Sequence, residues 1–331
     1  MIELYARLLQ RVRSINGLNQ IQISLGNTLT PALALQFSPR RSPLLTASLL
    51  AIEGPAADSK SGETIGEKLH AGAQEWRERL DERMNLAGKA MPEPFVRSRL
   101  RRDVFLFSDP LATHPRRLLI LFGGGAMRPM MPLHVFLQHL DAGTTDVLLL
   151  RDPTRAGYRN GLFGVGETLE DIIEHLPKLA DIAAYESVST MGTSSGGMPA
   201  LLAGLALGVR GATSAGGVHP ASDDWSFRGR PLSEAFPMLR RENGRNSQVF
   251  LISGAQSPRD QAAALATAAL TGATLLTVSS GSDKPVGHVT LFPLAEQRHL
   301  ARVLEALLSA DMSDIARAVP TIESTKVPAR H

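Results

Sequence analysis

Short runs of apolar residues alternate with helix-forming segments from residue 116 to residue 308. The runs are apolar throughout rather than at every second position, which is typical of strands buried on both faces of a parallel sheet. Joining such strands through helices gives right-handed crossovers and helices on both faces. We therefore predict an α/β fold with a mostly parallel, doubly wound sheet. The predicted strands are residues 117–122, 146–150, 185–191, 209–215, 248–253 and 273–279, and the predicted helices are residues 167–180, 196–207, 257–270 and 291–308.

The first 110 residues follow a different pattern. We expect an N-terminal extension, residues 1–110, in which short antiparallel strands begin the sheet and amphipathic helices form an insertion; a separate N-terminal domain is the alternative. Residues 111–310 form the core, and residues 311–331 form a C-terminal tail that is loose from residue 320. Within the extension we predict helices at 1–15 and 63–86, strands at 20–25, 32–36, 44–51 and 104–107, and a polar loop at 56–62.

A glycine-rich turn, Gly-Thr-Ser-Ser-Gly, occupies residues 192–196 after one of the predicted strands. Ser194 is the centre of a Gly-x-Ser-x-Gly pattern, in which a sharp strand-to-helix turn exposes the serine hydroxyl at the end of a sheet. Small residues are needed two positions before and after the serine, because the backbone segments there come into close contact. Ser195 fits less well, since Thr193 stands two positions before it. The pattern predicts Ser194 as a nucleophile, and an ordinary glycine-rich turn is the alternative.

With this motif at their centre, residues 104–308 resemble the α/β-hydrolase superfamily in the order of their elements. The resemblance implies a triad that follows the chain order serine, acid, histidine. It also implies that the histidine lies between the last strand and the last helix. His288 occupies that position, after a loop rich in turn-forming residues. His219 is the alternative base.

The resemblance places the acid after the predicted strand 248–253, where Asp260 is the carboxylate of the following loop. The same segment begins a helix with serine, proline and an acid, so a helix-capping carboxylate is the alternative interpretation. Asp283 is close to His288 in sequence. Asp223 and Asp224 offer the other acid position that some members of the superfamily use.

An oxyanion site requires two backbone N–H donors. One is expected from Ser195, which follows the nucleophile. The second is expected from the glycine run after residue 122, at Gly124, Gly125 or Ala126, because glycine lets the backbone approach a substrate carbonyl. The run resembles the His-Gly-Gly-Gly loop of lipases and esterases, with Phe122 in place of the histidine. A plain turn and a phosphate-binding loop are the alternatives, although the Lys-Ser/Thr of a phosphate loop does not follow.

The residues expected around the substrate follow the ends of the predicted strands. They are Met127, Arg128, Tyr158 and His219. Methionines provide an adaptable apolar surface, and the arginines near the site favour a substrate with an acidic end.

Composition narrows the class of protein. The chain has no cysteine, so disulfides and thiol catalysis are excluded. The formal net charge of +3 does not indicate a nucleic-acid-binding protein. The basic cluster Arg97, Arg99, Arg101 and Arg102 is interpreted as a solvated face, with an anion site as the alternative. No apolar run is long enough for a membrane span, and without a signal-peptide pattern we expect a cytoplasmic location.

The combined expectation is a serine hydrolase that acts on a small-molecule acyl substrate, with a carboxylic ester implied by the resemblance. No organic cofactor and no metal are expected. An acyltransferase or thioesterase with the same triad is an alternative, as is a non-catalytic binding protein of the same fold.

Overall fold

The computed structural model describes residues 2–39, 64–113, 116–221, 225–280, 285–313 and 315–329. The chain divides into two compact units. The first contains residues 1–94 and 132–138, and the second contains residues 95–131 and 139–331.

The first unit is helical in its described part. Its helices are α1 (Ile2–Arg11), α2 (Ile15–Gly26), α3 (Pro31–Leu35), α4 (Ile65–Asn85) and α5 (Leu133–Gln138). Helices α1 and α4 confirm the helices predicted at 1–15 and 63–86. Their apolar faces meet in one buried cluster that includes Tyr5, Leu9, Leu69, Ala73 and Leu80.

The strands predicted at 20–25 and 32–36 are wrong, because both segments are helices. Leu18, Ile21 and Leu25 recur at helical spacing and pack in the apolar cluster. Ser14 caps α2, and Thr30 caps α3, so both helices have a defined start. The strand predicted at 44–51 and the loop predicted at 56–62 lie outside the described residues.

The second unit contains a nine-stranded sheet with the order β1-β2-β4-β3-β5-β6-β9-β10-β11. The strands from β4 to β10 in this order are parallel, whereas β1, β2 and β11 are antiparallel to their neighbours. These strands are β1 (Val96–Arg101), β2 (Val104–Ser108), β3 (Arg117–Phe122), β4 (Thr145–Leu150), β5 (Ser187–Thr193), β6 (Gly211–Ala215), β9 (Gln248–Gly254), β10 (Thr274–Val278) and β11 (Ile322–Lys326). A separate two-stranded hairpin joins β7 (Ser226–Phe227) to β8 (Arg230–Pro231).

Helices connect the parallel strands, and the strands are buried as the apolar runs predict. This confirms the predicted fold class, which is α/β with a mostly parallel sheet and an antiparallel start in the α/β-hydrolase arrangement. The helices are α6 (Leu169–Leu179), α7 (Gly197–Leu207), α8 (Leu232–Glu242), α9 (Pro258–Thr271), α10 (Leu291–Glu296), α11 (Leu300–Ser309) and α12 (Ile315–Ala318). The helix predicted at 291–308 is divided into α10 and α11.

The sequence predicts neither outer strand, although the exposure of the basic cluster agrees with its interpretation as a solvated face. The tail is not loose over residues 322–326, because β11 pairs with β10 along five residues. At the opposite side, the basic cluster forms β1 and its turn, with Arg99 and Arg101 exposed on the outer strand. Within the described ranges, every helix lacks the length or the apolar character needed to cross a lipid bilayer.

Candidate active site

Ser194 lies immediately after β5, at the turn into α7. Its φ of 52° is in the left-handed region, which costs a non-glycine residue on the order of 1–3 kcal/mol. The turn is possible only with glycine on both sides. A Cβ at Gly192 would lie 1.9 Å from the carbonyl oxygen of Gly196, and a Cβ at Gly196 would lie 2.4 Å from that of Phe122. The strained serine is thus held where its hydroxyl faces the carboxyl edge of the sheet.

His288 joins Ser194 to Asp260 through two hydrogen bonds. Its Nε2 is 3.0 Å from the Ser194 Oγ, and its Nδ1 is 2.8 Å from the Asp260 Oδ2. A carboxylate accepts at Nδ1, so Nδ1 carries the proton and Nε2 accepts the serine hydroxyl. The side chain of His288 is 48% exposed and that of Asp260 is 7% exposed. The imidazole is therefore accessible to a substrate, while the carboxylate that orients it is shielded from water.

Asp260 is in the first turn of α9, which fits both a triad acid and a helix-capping carboxylate. Ser257 precedes that helix without a side-chain capping hydrogen bond, and the carboxylate of Asp260 contacts His288. The geometry therefore favours a triad carboxylate over a purely capping one. The other candidate acids, Asp283, Asp223 and Asp224, lie outside the described residues.

Two residues that the sequence did not single out hold His288 in place. Gln256 forms two hydrogen bonds with Val286: its backbone N–H donates to the Val286 carbonyl at 3.0 Å, and its side-chain oxygen accepts from the Val286 N–H at 2.8 Å. Gly216, with φ of 59°, lies against the imidazole, since a Cβ there would be 2.9 Å from the Cε1 of His288. The loop that carries His288 is thus tied to the segment that carries Asp260.

The glycine run after β3 lies against the nucleophile. A Cβ at Gly124 would be 3.3 Å from the Cβ of Ser194. However, the Gly124 N–H donates to the Arg128 carbonyl at 3.3 Å within the loop. Gly125 is next in the chain and approaches Ser195, whose Oγ is 4.0 Å from the Cβ position of Gly125. Of the two glycines predicted as donors, Gly125 therefore fits an oxyanion site better than Gly124.

Tyr158 supports the glycine run after β3 from the buried interior and does not form a pocket wall. Its side chain is fully buried, which corrects the prediction that it borders the substrate. The hydroxyl lies 3.0 Å from the carbonyl oxygen of Gly123 and 2.8 Å from that of Leu150. Burial raises the pKa of Tyr158 well above its usual value, so the hydroxyl stays a donor. The tyrosine thus anchors the glycine run to the end of β4.

The other predicted pocket residues are Met127, Arg128 and His219. Met127 and Arg128 are half-buried in the loop after the glycine run, and the Arg128 carbonyl accepts from the Thr193 hydroxyl at 3.4 Å. Met130, whose Cε lies 2.8 Å from the Cβ position of Gly216, is beside the imidazole. His219 is exposed, and its Nδ1 accepts from the Ala221 N–H at 3.1 Å. His219 therefore stays apart from the hydrogen-bonded chain.

Metal-binding groups of three or more histidine, aspartate or glutamate side chains are not found among the described residues. The described site contains one serine, one histidine and one carboxylate in a hydrogen-bonded chain. These are the parts that acyl transfer through a covalent serine intermediate requires.

No family model matches the chain, and no curated protein matches it. Among solved structures, the chain is similar to the enterobactin esterase FES from Shigella flexneri in the presence of enterobactin, at 16% identity and a TM-score of 0.42 over 66% of this chain and 60% of that one. The same esterase in the presence of 2,3-di-hydroxy-N-benzoyl-glycine matches at 18% identity and a TM-score of 0.41, over 66% of this chain and 61% of that one. The matched region is thus about three-fifths of the length of each of these esterase chains.

Proposed function

We propose that this chain is a serine hydrolase that cleaves a carboxylic ester through an acyl-enzyme intermediate. The observation that carries the proposal is the hydrogen-bonded chain from the strained Ser194 through His288 to the buried Asp260, with distances of 3.0 and 2.8 Å. A structural serine needs neither a left-handed backbone nor a histidine that a carboxylate orients.

In the proposed reaction, the Nε2 of His288 takes the proton of Ser194 as its Oγ bonds to the ester carbon. Asp260 stabilises the imidazolium that forms. The N–H groups of Ser195 and Gly125 hold the negative oxygen of the tetrahedral intermediate. The C–O bond to the alcohol then breaks, and the alcohol leaves with the proton from His288. Water repeats these steps on the acyl-enzyme and releases the carboxylic acid.

The test is labelling by a fluorophosphonate, followed by intact-mass measurement. We expect one covalent adduct on the parent chain and none on Ser194→Ala. Ser195→Ala is the matched control, because it removes a neighbouring hydroxyl and leaves the backbone N–H in place; it should be labelled like the parent. A folded parent chain that forms no adduct would contradict the proposal and favour a binding protein of the same fold.

Labelling does not distinguish hydrolysis from acyl transfer or thioester cleavage, since all three proceed through the same acyl-enzyme. The fate of the acyl group distinguishes them. For a hydrolase, p-nitrophenyl acetate should yield free acetate at the rate of nitrophenol release. With an alcohol or amine added, faster release of nitrophenol than of acetate, with the difference recovered as the new acetate ester or amide, would indicate an acyltransferase.

A further inference from the structure

A cavity of about 680 Å³ lies beside the loop that follows β4. It opens near the carboxyl end of β4, which is separated from β5 by β3 alone. Strands in a sheet are about 4.8 Å apart, so the ends of β4 and β5 are separated by roughly 10 Å. The cavity therefore lies at the same edge of the sheet as Ser194. By the same spacing, the β1–β2 turn that carries Arg102 is about 15 Å from the end of β5, so a substrate that joins the two must be a long chain.

One loop forms both the cavity wall and the support of the nucleophile. Its residues 160–167 line the cavity. Earlier in the same loop, Gly157 approaches the nucleophile turn, with its Cβ position 3.3 Å from the Ser195 carbonyl oxygen, and the Tyr158 hydroxyl donates to Gly123. A short stretch of this loop thus joins the cavity wall to the nucleophile turn.

The cavity has an apolar lining and a positively charged end. Leu162 and Val165 are buried in its wall, while Phe163 is 76% exposed. The guanidinium of Arg102 lies 5.9 Å from the centre of the Phe163 ring, which is the geometry of a cation–π contact. An exposed aromatic side chain beside a cation is suited to an apolar group that carries a negative charge.

Charges near Arg102 reinforce this preference. Asp103 is the carboxylate beside it, and its two oxygens lie 3.9 Å from Arg102 and 3.8 Å from Arg151. Arg101 immediately precedes this turn and donates to the Gly164 carbonyl. Arg102 and Arg151 therefore share one carboxylate at this end of the cavity, with Arg101 next in the chain, whereas Glu167 lines the cavity elsewhere. The local excess of positive charge favours an anion.

We propose that this cavity is the subsite for the non-reacting part of the ester substrate, an aliphatic chain that ends in a carboxylate or a similar anion. The chain packs on Phe163, and the anion pairs with Arg102. The proposal rests on the proposed function for the reaction itself, while the binding of the anionic chain can be measured without catalysis.

The kinetic test compares two p-nitrophenyl esters of equal length, mono-p-nitrophenyl sebacate and its neutral methyl ester, with p-nitrophenyl acetate as the short reference. For the parent chain, the carboxylated ester should have the lower KM. Arg102→Gln should raise that KM about tenfold without changing kcat or the hydrolysis of acetate, because it removes binding that is equal in the ground and transition states. Phe163→Ala should raise KM for both long esters.

Arg241→Gln is the matched charge control. Arg241 is exposed at the end of α8, which leads into the amino end of β9 at the opposite edge of the sheet. Arg241→Gln should leave the KM values of all three esters unchanged. If Arg102→Gln and Arg241→Gln have the same effect, or if the two long esters have equal KM values in the parent chain, the subsite proposal is overturned.

The binding test uses Ser194→Ala and calorimetric titration with monomethyl sebacate, with dimethyl sebacate as the neutral probe. Monomethyl sebacate should bind more tightly, and the second substitution Arg102→Gln should weaken its binding about tenfold. If the parent chain cleaves none of the three esters while Ser194→Ala binds monomethyl sebacate in a way that depends on Arg102, the proposed function is overturned and the subsite stands. Ester cleavage with no binding that depends on Arg102 would overturn the subsite and keep the proposed function.

Discussion

The close approach of Gly216 to His288 leads to a sharp prediction for Gly216→Ala. The new Cβ would lie 2.9 Å from the Cε1 of His288, 3.0 Å from its Nδ1 and 2.8 Å from the Cε of Met130. Favourable carbon contacts are about 3.5–4.0 Å long, so the imidazole must move by roughly 0.6 Å or more. Because a displacement of about 1 Å can lower a rate by about 100-fold, we expect fluorophosphonate labelling to slow by roughly 10- to 100-fold.

The same substitution also strains the backbone. Gly216 has φ of 59°, and a left-handed conformation costs a residue with a Cβ about 1–2 kcal/mol. A loss of folding stability could by itself be mistaken for the cause of slower labelling. Gly229→Ala separates the two effects, because Gly229 has φ of 68° and no atom lies within 4 Å of its Cβ position. Gly229→Ala should lose about as much folding stability as Gly216→Ala and keep the labelling rate of the parent chain.

The assay is the second-order rate constant of labelling, measured beside urea unfolding for the parent and both alanine variants. The comparison is valid at a temperature where all three are folded. Equal labelling rates for Gly216→Ala and Gly229→Ala would refute the reasoning, because the imidazole would then not depend on the space that Gly216 leaves.

Three further predictions concern Asp260, Tyr158 and Tyr5. Asp260→Asn should slow labelling by about 100- to 10,000-fold, because the amide cannot stabilise the imidazolium; the exposed change Asp311→Asn should have no effect, and equal rates would contradict the triad. Tyr158→Phe should lower the free energy of unfolding in urea by about 1–3 kcal/mol, since the Gly123 carbonyl loses the hydroxyl and the Leu150 carbonyl keeps only the Gly123 N–H; a change below about 0.5 kcal/mol would show that these bonds contribute little. Burial raises the pKa of Tyr5 from 10.0 to about 12, although Gln22 and Arg77 act in the opposite direction. The free energy of unfolding should therefore fall by about 3 kcal/mol as pH rises from about 10 to about 12, because Tyr5 ionises at a lower pH in the unfolded chain than in the folded chain. Urea unfolding across this pH range should show a smaller loss of unfolding free energy for Tyr5→Phe than for the parent chain. Parallel pH profiles for the two chains would argue against the raised pKa of Tyr5.

The sequence predicted the sheet and the nucleophile turn because both depend on local patterns. Continuous apolar runs identify buried strands, and the glycines around Ser194 are required by contacts between neighbouring residues. The acid stayed open between several positions, since a helix-capping carboxylate and a triad carboxylate have the same sequence pattern. Only the 2.8 Å distance between Asp260 and His288 distinguishes them.

The remaining differences arise from contacts that sequence patterns do not record. Gln256 and Val286 are 30 positions apart, and their pairing depends on how two loops meet. The segments at 20–25 and 32–36 are short, and at that length an apolar run fits a strand or a helix equally well. Tyr158 follows a strand end, as a pocket residue would, but its hydroxyl is directed inward to two carbonyl groups.

The two outer strands have a consequence for how the protein behaves at high concentration. An open strand edge offers unpaired N–H and C=O groups to another chain, and it can start aggregation. Here β1 carries three arginines, and β11 exposes Glu323, Ser324, Thr325 and Lys326. Hydrogen bonding between sheets of two copies would bring like charges together or require charged side chains to lose water. The polar outer strands thus protect a large, otherwise apolar sheet from self-association through its edges.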